Sequence, residues 1–184
     1  MKLHLGCGKR SIPGFVHVDL ADYPHVDHSR SVADLSVFAD QSAELIYASH
    51  VLEYFDRQEA VAVLAEWRRV LRRGGTLRLA VPDFSALVQL YQRTGDLSCI
   101  LGPLFGRMVL ARGNGQTEVI YHKTVYDFPS LRTLLEQSAF ADVRPYDWRA
   151  TIHKDYDDYS QAYFPHMDKE HGLLLSLNVE AVKP

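Results

Sequence analysis

Cysteine is scarce in this chain of 184 residues: Cys7 and Cys99 are the only two, far apart in sequence. A disulfide framework or a cysteine zinc site needs paired, closely spaced thiols, so neither is indicated. Long apolar runs are missing as well. The most apolar stretches, residues 77–81 and 172–177, fall far short of the roughly 20 residues that span a bilayer, so no membrane partner is expected. Residues 1–6 reach a glycine before any signal-type apolar segment forms, and the reading is of a cytoplasmic protein without a secretory leader. An excess of positive charge is also lacking, with 20 Lys and Arg against 23 Asp and Glu, a formal charge of −3. Sequence-independent attachment to nucleic acid needs clustered cations, so no nucleic-acid partner is expected.

What is present is an ordinary globular composition, 47% hydrophobic and 23% charged, at a length that fits one domain over residues 1–184. Residues 3–5 run into Gly6-Cys7-Gly8 and residues 15–18 end at Asp19, two short strands by pattern; residues 44–48 make a third. Asp56 with Glu59 forms a capping box ahead of a helix carrying Val61, Leu64, Trp67, Val70 and Leu71 at helical spacing. Arg72-Arg73-Gly74-Gly75 reads as its cationic, glycine-capped end. Residues 76–81 then read as a buried strand stopped by Pro82 and Asp83, and residues 84–93 as a helix. Residues 95–115, rich in glycine, read as a loop with a short helix. Asp127 caps a helix over residues 129–138, with strands expected over 142–148 and 173–182. Tyr156, Tyr159, Tyr163 and Phe164 are spaced for an amphipathic helix. Alternating strands and helices define an α/β fold, a doubly wound, mostly parallel sheet with helices on both faces.

Ligands in such sheets bind beyond the carboxyl ends of the strands, where Gly6 and Gly8 lie. Glycines there let the backbone turn tightly and approach a ligand closely. Asp19 ends the next strand, where a carboxylate can accept both hydroxyls of a ribose. Together they form half of a nucleoside site. The dinucleotide fingerprint is not met, because Ser11 stands where its third glycine belongs, which weakens a nicotinamide-dependent oxidoreductase reading. Histidines 153, 166 and 171 share a segment with several aspartates, but His166 and His171 are five apart, off a common helical face, and no metal is expected.

The order Leu3-His4-Leu5-Gly6-Cys7-Gly8, Phe15-Val16-His17-Val18-Asp19, Ala33-Asp34-Leu35, then residues 43–54 and 66–77, resembles the class I S-adenosylmethionine-dependent methyltransferases, especially the short "methyltransferase type 11" group. The resemblance implies a Rossmann-like sheet of seven strands with the last antiparallel, and S-adenosylmethionine as cofactor. It implies that Gly6, Cys7 and Gly8 pass under the methionine part and that Asp19, with Leu20 beside it, meets the ribose. Asp34 and the amide of Leu35 are implied at the adenine, Ala48 and Ser49 at the methionine end, and His50 near the transferring methyl.

Methyl transfer from a sulfonium is an in-line displacement, so positioning supplies much of the rate and a base is needed only where the acceptor loses a proton. His50 is the best-placed base, with Asp83 and His122 as further catalytic candidates. The sequence departs from the family between Gly8 and Asp19, which are too close for the usual first helix, and the helices that often cover substrate are not found ahead of the first strand. The expected acceptor is a small or sugar-like molecule, and a homodimer is compatible with the pattern. The rival readings are a non-catalytic or partner-dependent cofactor-binding module and, more weakly, the oxidoreductase.

Overall fold

The computed structural model describes residues 1–111 and 117–184, with the side chain of residue 111 also left aside. Strands β1 (Lys2–Leu5) and β2 (Val16–Asp19) pair in parallel, Leu3 beside Val16 and Leu5 beside Val18, although residues 6–15 between them hold no helix. A two-residue strand β3 (His28–Ser29), which the pattern did not reveal, pairs with β2, and β4 (Ala43–Ser49) pairs with the other side of β1. A 3-10 turn (Leu52–Tyr54) leads to helix α1 (Arg57–Val70). Its start is the expected capping box: Asp56 accepts from the amides of Gln58 and Glu59 at 2.8 and 2.9 Å, and Glu59 accepts from that of Asp56 at 2.8 Å.

The helix does not end on glycine. It turns into extended backbone at Leu71, and strand β5 (Leu71–Pro82) begins there. Residues 72–75 bulge out of register between the pairs Ala43–Leu71 and Leu45–Thr76, so Gly74, at φ +69°, serves a strand bulge rather than a helix cap. Val61 also differs from its sequence reading, being 49% exposed on the outer side of α1.

Beyond β5 the chain forms α2 (Phe84–Thr94), α3 (Ser98–Phe105) and a hairpin of β6 (Met108–Ala111) with β7 (Thr117–Ile120). Residues 112–116 of the expected loop lie outside the described residues. Helix α4 (Phe128–Gln137) is capped by Asp127 and leads to β8 (Ala141–Pro145). The expected strand stops there, and Trp148 lies in the first of three 3-10 turns (Trp148–Ala150, Ile152–Asp155, Tyr159–Gln161). The helix expected through Tyr156 and Phe164 is replaced by these turns and by β9 (Tyr163–Phe164). Asp147, Thr151 and Asp158 each bond the second amide ahead of them, the local competition that keeps such residues out of longer helices. The last expected strand is split: β10 (Leu173–Leu174) pairs with β9, and β11 (Ser176–Val182) enters the main sheet.

The sheet order is β3-β2-β1-β4-β5-β11-β8, with β11 antiparallel to both neighbours, as the sequence implies. One face is apolar. Leu3, Leu5, Ile46, Ala48, Leu77, Leu79 and Val179 pack there against Val63, Leu64 and Trp67 of α1 and Leu131 and Leu135 of α4. The opposite face carries a polar row across six strands, His17, His4, Tyr47, Arg78, Glu180 and Arg144 in neighbouring register positions. Ile12 and Phe15 cover Tyr47 on this side, and the segment of 3-10 turns covers much of the rest, stacking His153 on Tyr47 at 3.7 Å.

Candidate functional site

The carboxyl ends of β1, β2, β4 and β5 gather most of the residues singled out from sequence. Gly6 and Gly8 take φ +62° and +53°, the left-handed region that glycine enters freely. A Cβ at Gly6 would stand 2.4 Å from Val51 Cγ2, so that position is closed to side chains, whereas nothing lies within 4 Å of a Cβ at Gly8. The loop is held by Asp19: its Oδ2 accepts from the Gly8 amide and its Oδ1 from the Ala21 amide, both at 2.8 Å. Each oxygen keeps a free lone-pair direction. The open space at Gly8 and this carboxylate fit a ribose-bearing cofactor. Leu20 lies beside Asp19 at the rim. Cys7 is buried, with its thiol pushed up to about 12 first by burial and then by the Asp19 charge, which makes it inert rather than nucleophilic.

His25, which the sequence reading passed over, sits on this loop. Its Nε2 is 3.0 Å from the Gly8 carbonyl and 3.8 Å from Cys7 Sγ. No local pattern marks it, because the contact depends on the turn after β2.

Asp34 and Leu35 are placed otherwise than the resemblance implies. Asp34 is exposed, bonded to the Ser36 amide at 3.1 Å and paired with Arg30 at 3.6 Å; the Ser36 hydroxyl and amide, and to a smaller extent Arg30, hold its carboxyl below the usual range. The amide of Leu35 is taken by Glu66 Oε1 at 3.0 Å and its side chain is fully buried, so in this structure the amide points into α1 rather than to a ligand. Ala48 packs into the apolar core. Ser49 faces the opposite side, with Oγ 3.4 Å from Asp158 Oδ1.

His50 follows β4 at φ +54°, an unusual conformation for a residue with a Cβ and one found often at functional sites. Its amide donates to the Ala80 carbonyl at 2.8 Å, its Nε2 lies 3.2 Å from Ser176 Oγ, and its Nδ1 lies 3.3 Å from Glu53 Oε1. Burial lowers its pKa to about 3. His122 approaches the same carboxyl oxygen, with Nε2 at 3.8 Å, and its ring stands edge-on to Tyr54 at 4.7 Å. Asp83 is brought to the neighbouring segment by the bridge to Tyr126, but its carboxylate caps α2 on the Ser85 amide at 3.0 Å; burial raises its pKa. Two of the three catalytic candidates therefore converge, and they do so on Glu53.

Glu53 was not among the sequence candidates. The available signal was a charged residue inside the apolar run Val51-Leu52-Glu53-Tyr54-Phe55. It is fully buried, and burial pushes its carboxyl up to about 8. Beside this cluster an open cleft of about 740 Å³ is lined by Asp56, Leu104, Phe105, His122 and Lys123. A second cleft, of about 680 Å³, lies at the other end of β1 near Lys2 and Ile12 and holds none of the candidates. Among the described residues no group of three His, Cys, Asp or Glu side chains is arranged for a metal, and no helix is long and apolar enough to cross a membrane.

A seven-stranded sheet in this order with one antiparallel strand, carrying a glycine loop tied to an acid at the ends of its first two strands, is the class I S-adenosylmethionine-dependent methyltransferase fold. Residues 13–79 match the family model described as a methyltransferase domain. No curated protein matches the chain by sequence. Among solved structures, an S-adenosylmethionine-dependent methyltransferase from Methanosarcina mazei is similar at 18% identity and TM-score 0.57, covering 99% of this chain and 91% of that one. A Burkholderia thailandensis 1,6-didemethyltoxoflavin-N1-methyltransferase, solved with that substrate and S-adenosylhomocysteine, is similar at 14% identity and TM-score 0.53, covering 99% and 70%. A methyltransferase from Haloferax volcanii, solved in complex with a methyltransferase activator, is similar at 14% identity and TM-score 0.53, covering 100% and 81%.

Proposed function

We propose that this chain transfers the methyl group of S-adenosylmethionine to a small-molecule or sugar-like acceptor. The observation that carries the reading is the loop closed by Asp19 on the Gly8 amide at 2.8 Å, with both glycines in the left-handed region at the ends of β1 and β2. When bound there, the cofactor supplies an electrophilic methyl on a sulfonium sulfur. Gly6, Cys7 and Gly8 line its methionine part, Asp19 offers free lone pairs to the ribose hydroxyls with Leu20 at the rim, and Ala48 and Ser49 flank the methionine end. Asp34 and Leu35 remain on the adenine side only if the Glu66 and Ser36 contacts rearrange. His50, at the end of β4, faces the acceptor, with His122 and Asp83 on the neighbouring segments. The −3 charge, with 23 acidic against 20 basic residues, favours a small or sugar-like acceptor over a polyanion.

One observation favours a second reading, a cofactor-binding module that needs a partner. Residues 6–15 form no helix, and Asp158 of the 3-10 segment reaches the Ser49 side of the site instead. The Haloferax relative, which is bound to an activator, is a precedent of fold only.

Calorimetric titration with S-adenosylhomocysteine, with NAD run alongside, tests the assignment. Micromolar binding of S-adenosylhomocysteine and none of NAD is expected, and the reverse result overturns it. Asp19→Ala removes charge-assisted bonds and frees the Gly8 and Ala21 amides, so a loss of about 1.5 to 3 kcal/mol in affinity is expected. An unchanged dissociation constant in a folded variant refutes the role of Asp19.

A further inference from the structure

The buried acid at the acceptor end of the site is unusual in what surrounds it. Glu53 has no accessible surface, and neither carboxyl oxygen makes a hydrogen bond of normal geometry among the described residues. Its main chain is firmly placed, since its carbonyl accepts from the amides of Lys123 and Thr124 at 2.8 and 3.3 Å. What approaches its carboxyl is two imidazole nitrogens, His50 Nδ1 at 3.3 Å and His122 Nε2 at 3.8 Å, both aimed at Oε1. The hydroxyl of Tyr126, also buried and without a hydrogen bond among the described residues, feels the same carboxyl, as does Tyr54 in the adjoining turn.

The outer bond of His122 fixes its proton, and that of His50 follows the direction of the Ser176 hydroxyl. His122 Nδ1 lies 2.9 Å from the carbonyl of Pro103, which can only accept, so Nδ1 carries the hydrogen and Nε2 turns a lone pair toward Glu53. The hydroxyl of Ser176 has acceptors in Asn178 Oδ1 at 3.3 Å and the Val81 carbonyl at 3.5 Å. With its hydrogen given to one of them, it accepts from His50 Nε2–H at 3.2 Å, which leaves the lone pair of His50 Nδ1 also facing Glu53. An ionised carboxylate would then oppose two lone pairs, with no facing cation among the described residues. A carboxylic acid donates to His50 instead, in agreement with the direction in which burial moves both groups.

When Glu53 loses its proton, the favourable arrangement reverses. The carboxylate accepts from His50, whose hydrogen moves to Nδ1, and Nε2 becomes the basic nitrogen, its lone pair left to the acceptor's proton while the Ser176 hydroxyl keeps its hydrogen on Asn178 Oδ1 or the Val81 carbonyl. This is the way a carboxylate orients a catalytic imidazole in hydrolytic triads. We propose that Glu53 is a positioning residue that sets the tautomer of His50, and so decides whether His50 Nε2 is available to take a proton from the methyl acceptor. The acceptor served by such an arrangement is one that carries a removable proton, such as a hydroxyl or an N–H. Its oxygen or nitrogen forms the bond to the methyl carbon while the electron pair of the carbon–sulfur bond passes to sulfur, and the acceptor proton goes to His50 Nε2. The proposal rests on the methyltransferase reading. The groups that bear on the switch are His122 and Tyr126 from residues 121–126, Tyr54 from the turn before α1, Tyr159, whose ring is 5.3 Å from that of His50, and Ser176 of β11.

The test is ring-nitrogen NMR of the 15N-histidine-labelled full chain, titrated through neutral and alkaline pH, with signals assigned from His50→Asn and His122→Asn. His50 is expected to change from the Nε2–H to the Nδ1–H form in one transition near the Glu53 value of about 8, while His122 keeps Nδ1–H throughout. In Glu53→Gln, which has no proton to lose, the His50 transition is expected to vanish. A wild-type His50 that holds one tautomer across the range overturns the proposal, as does a transition that survives in Glu53→Gln. The wild-type titration decides alone if the glutamine variant does not fold. None of these outcomes depends on the acceptor, so a failure here is separable from failure of S-adenosylhomocysteine to bind, which would overturn the function itself.

Discussion

The two faces of the central sheet are built by different rules. On the face under α1 and α4 the strands present aliphatic side chains, and the helices answer with Leu64, Trp67, Leu131 and Leu135, all without accessible surface. On the other, Tyr47 and His4 lie tilted at 5.2 Å, His153 stacks on Tyr47, and Arg78 sits between Glu180 at 3.1 Å and His153 Nε2 at 3.2 Å. The cover here is irregular chain whose backbone needs side-chain partners: Gln161 Nε2 donates to the carbonyls of His153 and Tyr156 at 2.6 and 3.1 Å, and Asn178 Nδ2 to that of Ser160 at 2.9 Å. One face is stabilised by area removed from water, which is tolerant of detail, and the other by mutual satisfaction of polar groups, which is not. The face without a crossover helix between β1 and β2 is the one that had to recruit distant chain.

The largest effect should come from the apolar face. Trp67 is fully buried and its Nε1 donates to the Val32 carbonyl at 2.8 Å, so Trp67→Ala should cost about 3 to 5 kcal/mol in chemical denaturation. A loss below that of any polar-face variant would invert the comparison. Next is acid sensitivity. His4 and His153 on the polar face are lowered to about 3, chiefly by burial, while in the unfolded chain they titrate near the ordinary histidine value of 6.5. Between these values the unfolded chain binds protons that the native one does not, so their contribution is complete above about 6.5 and is lost as pH falls toward 3. Hydrogen exchange at mildly acidic pH should show the amides of residues 148–161 opening before those of α1; simultaneous opening would mean that the two faces respond as one.

Arg78→Met is expected to cost about 1 to 3 kcal/mol, moderated because Glu180 keeps Arg144 at 2.7 Å. Adding Glu180→Leu should recover part of that loss, and a double variant worse than the single would show that the pair contributes net stability beyond its own desolvation. Smallest of all is Asp158→Asn. Burial already disfavours the Asp158 charge, the amide oxygen can keep the bond from the Ser160 amide at 2.8 Å, and the Tyr47 hydroxyl can turn to accept from the new NH2 group, so a change within about 1 kcal/mol is expected by thermal denaturation.

The apolar face was also the legible one. Asp56 and Glu59 announced α1, Asp127 announced α4, and Leu77, Leu79 and Val81 announced β5, because caps and periodicity are local properties of a chain. The glycine loop and Asp19 were readable for the same reason, being a short-range motif between two strands. The polar face was not. His4, Tyr47, Arg78 and Glu180 meet only once the register of four strands is known, and the aromatic spacing of residues 156–164 mimicked a helix that local side-chain bonds prevent. Glu53 escaped notice on the same ground, since its meaning comes from His122, far along the chain. Leu35 shows the opposite limit: a local motif singles it out, but whether its amide is free depends on Glu66 of α1, which accepts from it here.

The position of β11 has a consequence for the order in which the molecule can assemble. This strand lies between β5 and β8, though both precede it in sequence. Lys183, just beyond it, donates through Nζ to the carbonyls of Arg68 and Leu71 at 2.7 and 2.6 Å, closing the end of α1. A nascent chain that has emerged only as far as residue 175 therefore has every other strand of the sheet and still leaves the edge of β5 unpaired, with β8 unattached. Cooperative closure of the sheet must wait for β11, so its seven strands complete together rather than progressively.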